Sequence, residues 1–235
     1  MSSIYLIDYY SNTIKSVIHR VTVVSKTIFL LLVLLSIVVS KSFSSLFLIL
    51  FIIIVLIMMA KLPVLKILKW SLYPAFFASL FAISQIQYGL LPLQTMLRAI
   101  DAVLLTLLIV CTTPYPAFFS LVSRVSIILA NVFFTAYRYF FLVVDEIQTK
   151  IRVMKVRGGY IGGPIKILKN IGLLIGRLFI HSIERSERLY DIMVVRGYQG
   201  VVFSRISLKF GLADLLFIAI GIVILVATIF NVFAF

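Results

Sequence analysis

The sequence has 235 residues, of which 63% are apolar, and its mean hydropathy is +1.18. Soluble domains are only about half apolar, and several stretches here approach the roughly 20 uncharged residues that cross a bilayer. These values exclude an ordinary soluble domain. They predict an all-α fold, a polytopic helical protein that passes the cell membrane several times.

The net charge of +14 limits the function further. Cytoplasmic loops of membrane proteins collect Lys and Arg, and anionic lipids attract each such residue by about 1 kcal/mol. We therefore expect the charge to serve topology and contact with membrane lipids, not nucleic acid. Cys111 is the single cysteine, which excludes an intramolecular disulfide and a cysteine-based metal site.

The first half of the chain is mostly membrane. Residues 1–20 are mixed in character and predict a short amphipathic arm at the interface. The four apolar segments that follow predict spans at about Val23–Val39, Phe43–Met59, Leu72–Ile86 and Leu93–Cys111. A basic stretch, Leu62–Trp70, lies between the second span and the third, with Trp70 placed as an interfacial anchor.

Two charged residues interrupt the fourth span. Arg98 and Asp101 are three positions apart, so they share one face of the helix. A charge at the centre of the bilayer costs about 2.5–3.5 kcal/mol on insertion scales. We expect the two side chains to pair with each other near the outer end of the span.

The next hundred residues are amphipathic. After a short helix that ends near Ser123, one pattern runs from Val125 to Gly159, apolar first and charged later, and predicts a single helix of some thirty residues. A second charged stretch runs from about Arg177 to Gly200 and predicts a helix that stops at Arg196-Gly197, a cation followed by a glycine. On it, Glu184 precedes Arg188 by four residues, the favourable order for an ion pair.

Basic residues indicate the orientation. Of the 22 Lys and Arg residues, 14 lie between Tyr115 and Phe210, against five acids, so this segment should face the cytoplasm. A topology with five spans, the last at about Ala213–Phe233, agrees with the distribution of basic residues at every turn. A topology with a sixth span at Val125–Val144 ranks second. The predicted organisation is membrane helices at 1–113, a cytoplasmic region at 114–210 and a final span at 211–235.

One short pattern occurs twice in the cytoplasmic region. Met154–Gly158 and Met193–Gly197 both read Met-x-Val-Arg-Gly, 39 residues apart, each at the end of a predicted helix. A basic residue followed by Gly is an ordinary helix end. Two such ends favour a paired contact instead, because a guanidinium is a planar fork of five donors and two copies imply two similar pockets, as on a dimeric partner.

From about Leu104 to Gly200 the sequence resembles the transmembrane T component of energy-coupling factor (ECF) transporters, most closely the cobalt/nickel type. The residues that carry the resemblance are Thr112-Thr113-Pro114, Tyr137-Arg138-Tyr139, Glu146, Val156-Arg157-Gly158-Gly159, Glu184-Arg185-Ser186-Glu187-Arg188-Leu189-Tyr190 and Val195-Arg196-Gly197-Tyr198. The family signature has a small residue, usually Ala, before each Arg-Gly. Here both positions are Val, which changes the packing around each tip.

The resemblance implies a non-enzymatic coupling subunit. Two ATP-binding-cassette ATPases would bind the cytoplasmic helices, and a separate substrate-binding membrane subunit would lie against the apolar faces. The ATPase-coupling residues would be Val156, Arg157, Gly158, Val195, Arg196 and Gly197, supported by a platform of Tyr137, Arg138, Glu146, Glu184 and Arg188. No cofactor is expected on this chain: the sequence has no G-x-x-x-x-G-K-[ST] phosphate loop, so ATP and Mg would be held by the ATPases.

Two other functions stay open from the residues alone. A membrane-embedded lipid-modifying enzyme would need acids and histidines at the interface, and Glu184 and Glu187 are the nearest candidates. A stand-alone secondary transporter would need ionisable groups at mid-membrane depth, where Arg98 and Asp101 come closest. The substrate, a metal ion such as cobalt or nickel or a vitamin, is not given by the sequence.

Overall fold

The structure is a computed structural model that describes residues 3–14, 16–40, 42–85, 87, 89–124, 126–198 and 211–233. These residues form α-helices joined by turns, and no strand occurs among them. The helices are α1 Ser3–Thr13, α2 Val17–Arg20, α3 Val23–Val39, α4 Phe43–Met59, α5 Val64–Ser84, α6 Leu91–Thr112, α7 Tyr115–Val122, α8 Ile127–Val156, α9 Pro164–Val195 and α10 Leu212–Phe233. The all-α prediction is confirmed.

The helices fall into two compact units. We call Met1–Phe118 with Ile206–Phe235 the membrane unit, and Phe119–Arg205 the hairpin unit. In the membrane unit, α6 packs on α1, α3, α4 and α5, and α3 packs along α10. The core of this unit is formed by buried apolar side chains: Phe29, Val33 and Ile37 of α3, Leu46, Ile49 and Ile53 of α4, and Leu104, Leu105 and Leu108 of α6.

Several helices are long and apolar enough to cross a membrane. By length and composition these are α5, α6, α8 and α10, and α3 and α4 are shorter apolar helices of 17 residues each. The first two spans lie where the sequence predicts them. Because α8 also qualifies by composition, the choice between five and six spans stays a prediction.

The third span differs from its prediction. Instead of a basic stretch followed by a separate span, α5 is continuous from Val64 to Ser84 and passes through Pro74. Pro removes one backbone donor and weakens one turn, but membrane helices tolerate it because neighbouring groups satisfy the freed carbonyl. The lysines of Leu62–Trp70 therefore lie on the first turns of the same helix.

The predicted ion pair between Arg98 and Asp101 is wrong. Arg98 donates through Nη2 to the carbonyl oxygen of Ser40, in the turn that links α3 and α4. Asp101 is completely buried, and neither carboxylate oxygen has a hydrogen-bond partner within the described residues. The carbonyl at the end of α3 competes for the guanidinium because a helix leaves its last carbonyls without intrahelical donors.

A buried polar junction joins three helix ends in the membrane unit. Lys26, 1% exposed, donates from Nζ to the carbonyl oxygen of Thr112 at 2.8 Å. The Asp214 carboxylate accepts from the Thr22 amide at 2.6 Å, the Thr22 hydroxyl at 2.8 Å and the Gly211 amide at 2.7 Å. The end of α6 and the start of α10 are thus both held against the first turn of α3.

Candidate functional site

The two Met-x-Val-Arg-Gly segments, which we call the first tip (Met154–Gly158) and the second tip (Met193–Gly197), have the same backbone. Each glycine is left-handed, with φ of +70° at Gly158 and +78° at Gly197. In each, the glycine amide bonds back three residues and the next amide bonds back five. The four bonds are Gly158 N to Lys155 O (3.1 Å), Gly159 N to Met154 O (2.8 Å), Gly197 N to Val194 O (2.9 Å) and Tyr198 N to Met193 O (2.9 Å).

This pairing is the Schellman cap, in which a left-handed glycine satisfies the last carbonyls of a helix. The cap ends α8 and α9 abruptly and leaves the preceding residues uncovered. Val156 is 88% exposed and Val195 is 87% exposed. Arg157 and Arg196 are exposed as well, and neither guanidinium has a bonding partner in the described part of the chain.

The two helices run antiparallel within the hairpin unit. Asn170, near the start of α9, donates from Nδ2 to the Gly159 carbonyl at 2.9 Å, so the first tip lies beside the start of α9. Further along, Arg185 Nη2 lies 3.3 Å from Glu146 Oε2. Because α9 rises about 1.5 Å per residue from Asn170 to Arg196, the tips are on the order of 40 Å apart.

The charge around the two tips differs. Residues 150–157 contain four cations and no acid, whereas the matched residues 189–196 contain one acid, Asp191, and one cation, Arg196. A cavity of about 330 Å³ lies beside the first tip, with Lys150, Arg157 and Arg177 in its lining. The first tip is therefore the more electropositive of the two.

A second cavity, of about 430 Å³, lies at the other end of the hairpin. Its lining is Asn131, Val132, Thr135, Ala136, Tyr139 and Val143 of α8, with Ser182, Arg185, Ser186 and Leu189 of α9 and Tyr198 beyond the second tip. Small and apolar side chains from α8 dominate one wall. This cavity reaches Tyr198, the residue that follows the second tip, whereas Arg157 of the first tip itself lines the first cavity.

Two of the predicted platform residues make contacts inside the hairpin. Glu146 bridges the helices: Oε1 lies 3.0 Å from Lys150 Nζ on α8, and Oε2 faces Arg185 on α9. Tyr137 packs edge-to-face against Phe141, with ring centroids 5.3 Å apart, and against Phe119 at 6.0 Å. These contacts fix the middle and the apolar end of α8.

The remaining platform residues, Arg138, Glu184 and Arg188, are exposed. The sequence suggested an ion pair between Glu184 and Arg188, but these two side chains do not form one in the structure. The Glu184 carboxylate lies 3.6 Å from His181 Nδ1, and Arg188 Nε donates to the Glu184 carbonyl oxygen at 3.3 Å. At an exposed site such an ion pair is worth only a few tenths of a kcal/mol, so a backbone acceptor competes with it.

Comparison with known proteins places the chain in a family. Residues 14–205 match the family described as CbiQ, cobalt transport protein, which is well over half of the sequence. The chain belongs to the CbiQ cobalt transport protein family. This confirms the resemblance to the cobalt/nickel type of T component, and with the helices above it makes the chain a multi-pass membrane protein.

Two relatives of this CbiQ family member align over part of its length. The cobalt transport protein CbiQ of Salmonella typhimurium is 28% identical over 109 residues, 46% of this chain and 48% of that protein. An uncharacterized protein of Methanocaldococcus jannaschii is 27% identical over 130 residues, 54% of this chain and 44% of that protein. The chain thus spans about half the length of the curated relatives it matches.

Sequence reasoning missed several residues of the CbiQ hairpin. Asn170 secures the turn after the first tip, Arg177 lines the first cavity, and Arg185 pairs with Glu146 across the two helices. The charged pattern Glu184-Arg185-Ser186-Glu187-Arg188 indicates the stretch of α9 in which this contact lies. It could not show which side chain crosses to the other helix, because that depends on how the two helices pair.

Proposed function

We propose that this chain is the transmembrane coupling subunit, the T component, of an ECF-type ABC importer. In this proposal each tip enters a pocket on one of two ATP-binding-cassette ATPases, and Arg157 and Arg196 supply the guanidinium forks. The ATPases hold ATP and Mg. A separate substrate-binding membrane subunit holds the cargo, and no catalytic step belongs to this chain.

The pair of identically capped tips is the observation that carries this proposal. The same five-residue pattern, the same left-handed glycine and the same two backbone bonds occur at opposite ends of one hairpin. A dimeric partner offers two equal pockets at a fixed spacing, and a hairpin tens of ångströms long can reach both. Closure of the ATPases on ATP would then move the two tips.

The apolar faces support the proposed membrane partner. Exposed side chains along α9 include Phe179, Ile180 and Ile183, and those along α5 include Leu72, Phe76 and Phe77. Lipid covers such faces when nothing else does. A substrate-binding subunit that docks on the face of α9 can follow the movement of the hairpin, which is the coupling step of the proposal.

The test is the double variant Arg157→Ala/Arg196→Ala. Removing one partner of a buried charged contact costs about 2–5 kcal/mol, so the double variant should lose the ATPases on affinity purification and lose ATP-driven uptake. The variant chain should still fold, because both side chains are exposed. Arg157→Lys/Arg196→Lys keeps the charge and removes the two-pronged geometry, and should bind weakly rather than not at all.

If the Ala double variant binds the ATPases and supports uptake normally, the proposal is wrong. Turnover of a lipid by the purified chain alone would favour the enzyme hypothesis instead.

The identity of the cargo is tested in a separate experiment. The family description favours cobalt, so cells that carry the complete transporter should take up labelled cobalt, and competition by nickel or by a vitamin would identify another substrate.

A further inference from the structure

The repeat in the hairpin unit is much longer than its two tips. With an offset of 39 residues, α8 and the first tip align with α9 and the second tip, and nine of the 31 positions from 128 to 158 are identical. Besides the four identical tip residues, the identical pairs are Ile128/Ile167, Leu129/Leu168, Asn131/Asn170, Arg138/Arg177 and Phe140/Phe179. Each helix with its tip is therefore one copy of the same unit.

The contacts relate the two copies by a pseudo-two-fold axis. Glu146 and Arg185 hold equivalent positions in the repeat, and their side chains meet at 3.3 Å. In a two-fold arrangement a position meets its own counterpart only at the axis. The axis therefore passes close to this ion pair, at the middle of the hairpin.

The two cavities are counterparts under the same operation. Asn170 and Gly159 line the first cavity, and their equivalents, Asn131 and Tyr198, line the second. Lys150 and Leu174 of the first cavity likewise correspond to Leu189 and Thr135 of the second. The two linings thus share four equivalent positions, whereas Arg196 and Arg138, the equivalents of Arg157 and Arg177, do not line the second cavity.

At the first end, two guanidinium groups share one cavity. Arg157 and Arg177 both belong to its lining, both are exposed, and no acid is among the residues that line it. Lys150, the third cation, already has Glu146 at 3.0 Å. Two unpaired guanidinium groups beside one cavity favour anionic groups, and carboxylates accept from both prongs of the fork.

We infer that the hairpin binds a two-fold symmetric protein on its pseudo-two-fold axis, and that each end offers a pair of arginines to carboxylates of one partner subunit. The pair at the first end, Arg157 with Arg177, lines one cavity, and the repeat assigns Arg196 and Arg138 as its equivalents at the second end. This rests on the proposed function, which supplies the partner as an ATPase dimer. It adds Arg177 and Arg138, outside the two tips, as binding residues.

Symmetry is what favours a protein over a lipid. Anionic phospholipids would satisfy an arginine pair at either end, but they place no demand on how the two ends are related. Repetition of the Asn, the Arg and the tip in both helices is what a dimeric partner requires, since both of its subunits present the same surface. The basic excess at the first end, where Arg152 corresponds to Asp191 and Lys155 to Val194, adds a difference in strength between the ends.

The experiment measures the affinity of the ATPases for the full chain in nanodiscs. Arg177→Gln and Arg138→Gln should each weaken binding about 10-fold or more, the effect of losing roughly 1.4 kcal/mol. The control is Lys169→Gln. Lys169 is an exposed cation of α9, and its counterpart in the repeat is Ala130. This variant should change the affinity by less than about threefold, as expected for a charge at the rim of an interface.

Coupling between sites sharpens the test. Arg157→Ala and Arg177→Gln lie at one end, so their combined effect should fall short of the product of the single effects. Arg138→Gln and Arg177→Gln lie at opposite ends, so their effects should multiply. Binding at the first end should also weaken more steeply with salt, because more cations surround it.

Three results would overturn the inference. Arg177→Gln or Arg138→Gln could behave like Lys169→Gln while the tip variants lose the ATPases, which leaves the proposed function standing. Arg177→Gln could instead weaken the binding of phosphatidylglycerol to the chain, in nanodiscs that contain this lipid, without changing the affinity for the ATPases. The cavity would then be a lipid site. If the tip variants also bind normally, the proposed function fails and this inference fails with it.

Discussion

The membrane unit and the hairpin unit handle their polar and apolar groups in opposite ways. The membrane unit buries Lys26 and Asp214 and satisfies them with its own backbone and hydroxyl groups. In the hairpin unit, α9 has no buried residue at all along its 32 described positions, although apolar side chains recur along it. The first unit carries its stability internally. In the second, the apolar side chains of α9 lie exposed.

The largest difference between the units should appear on truncating an apolar side chain. Leu108 of α6 is completely buried, whereas Ile183 of α9 is 56% exposed. Leu108→Ala should lower the free energy of unfolding by about 2–5 kcal/mol, since a cavity replaces the lost atoms. Ile183→Ala should change it by less than about 0.5 kcal/mol. Denaturant titration of both variants in the same detergent measures the two values, and equal losses would remove the distinction between the units.

A carboxylate should show the same contrast with a smaller effect. Asp214→Ala leaves two amides and a hydroxyl in the buried junction without their acceptor. Each orphaned donor costs about 1–3 kcal/mol, less in membrane proteins where the unfolded chain also finds partners, so we expect a loss of about 2–4 kcal/mol. Asp191→Ala, on the exposed side of α9, is the matched control and should be nearly neutral. A stable Asp214→Ala protein would mean that the junction does not hold α10 in place.

Apolar periodicity and breaker residues gave correct helices wherever a helix is decided locally. α3 and α4 begin and end where the sequence predicts, since Thr22, Ser40, Ser42 and the apolar runs between them leave one choice. Two helices are exceptions: α5 begins at Val64 and not at about Leu72, and α9 begins at Pro164 and not at about Arg177. In both cases the helix extends further toward the amino terminus than the apolar or charged pattern indicates.

Contacts between helices were not predictable in the same way. Arg98 was expected beside Asp101 and instead bonds a carbonyl 58 positions earlier in the chain. Glu184 was expected to pair within its own helix, whereas Glu146 and Arg185 make the contact that crosses between helices. Spacing along one helix reveals shared faces, but not which face meets another helix. The full repeat was equally hard to see, because most of its positions differ between the copies.

Replacement by Ala should have the same effect at the two tip glycines and the opposite effect at a third glycine, Gly176. Gly158 and Gly197 have positive φ, where an L residue is strained by about 1–2 kcal/mol, so Ala at either position should loosen its cap. Gly176 lies inside α9 with open space around its α-carbon, so Gly176→Ala should stabilise the helix by about 0.5–1 kcal/mol. Hydrogen exchange at the amides of Gly159 and Tyr198 reports each cap. Slower exchange in Gly158→Ala would show that the left-handed cap is not needed there.

The smallest effect should come from the ion pairs at the middle of the hairpin. Glu146→Gln removes a charge that faces Lys150 at 3.0 Å and Arg185 at 3.3 Å, all three side chains being partly exposed. Water and salt screen such pairs, so the loss should be about 0.5–1 kcal/mol and should fade as salt is raised. Glu187→Gln, an exposed acid of α9, should have no measurable effect on the hairpin. Thermal unfolding of the two variants at low and high salt compares them. A loss in Glu146→Gln that persists at high salt would mean that Glu146 holds the helices by shape rather than by charge, and the hairpin would then be more self-sufficient than its exposed surface indicates.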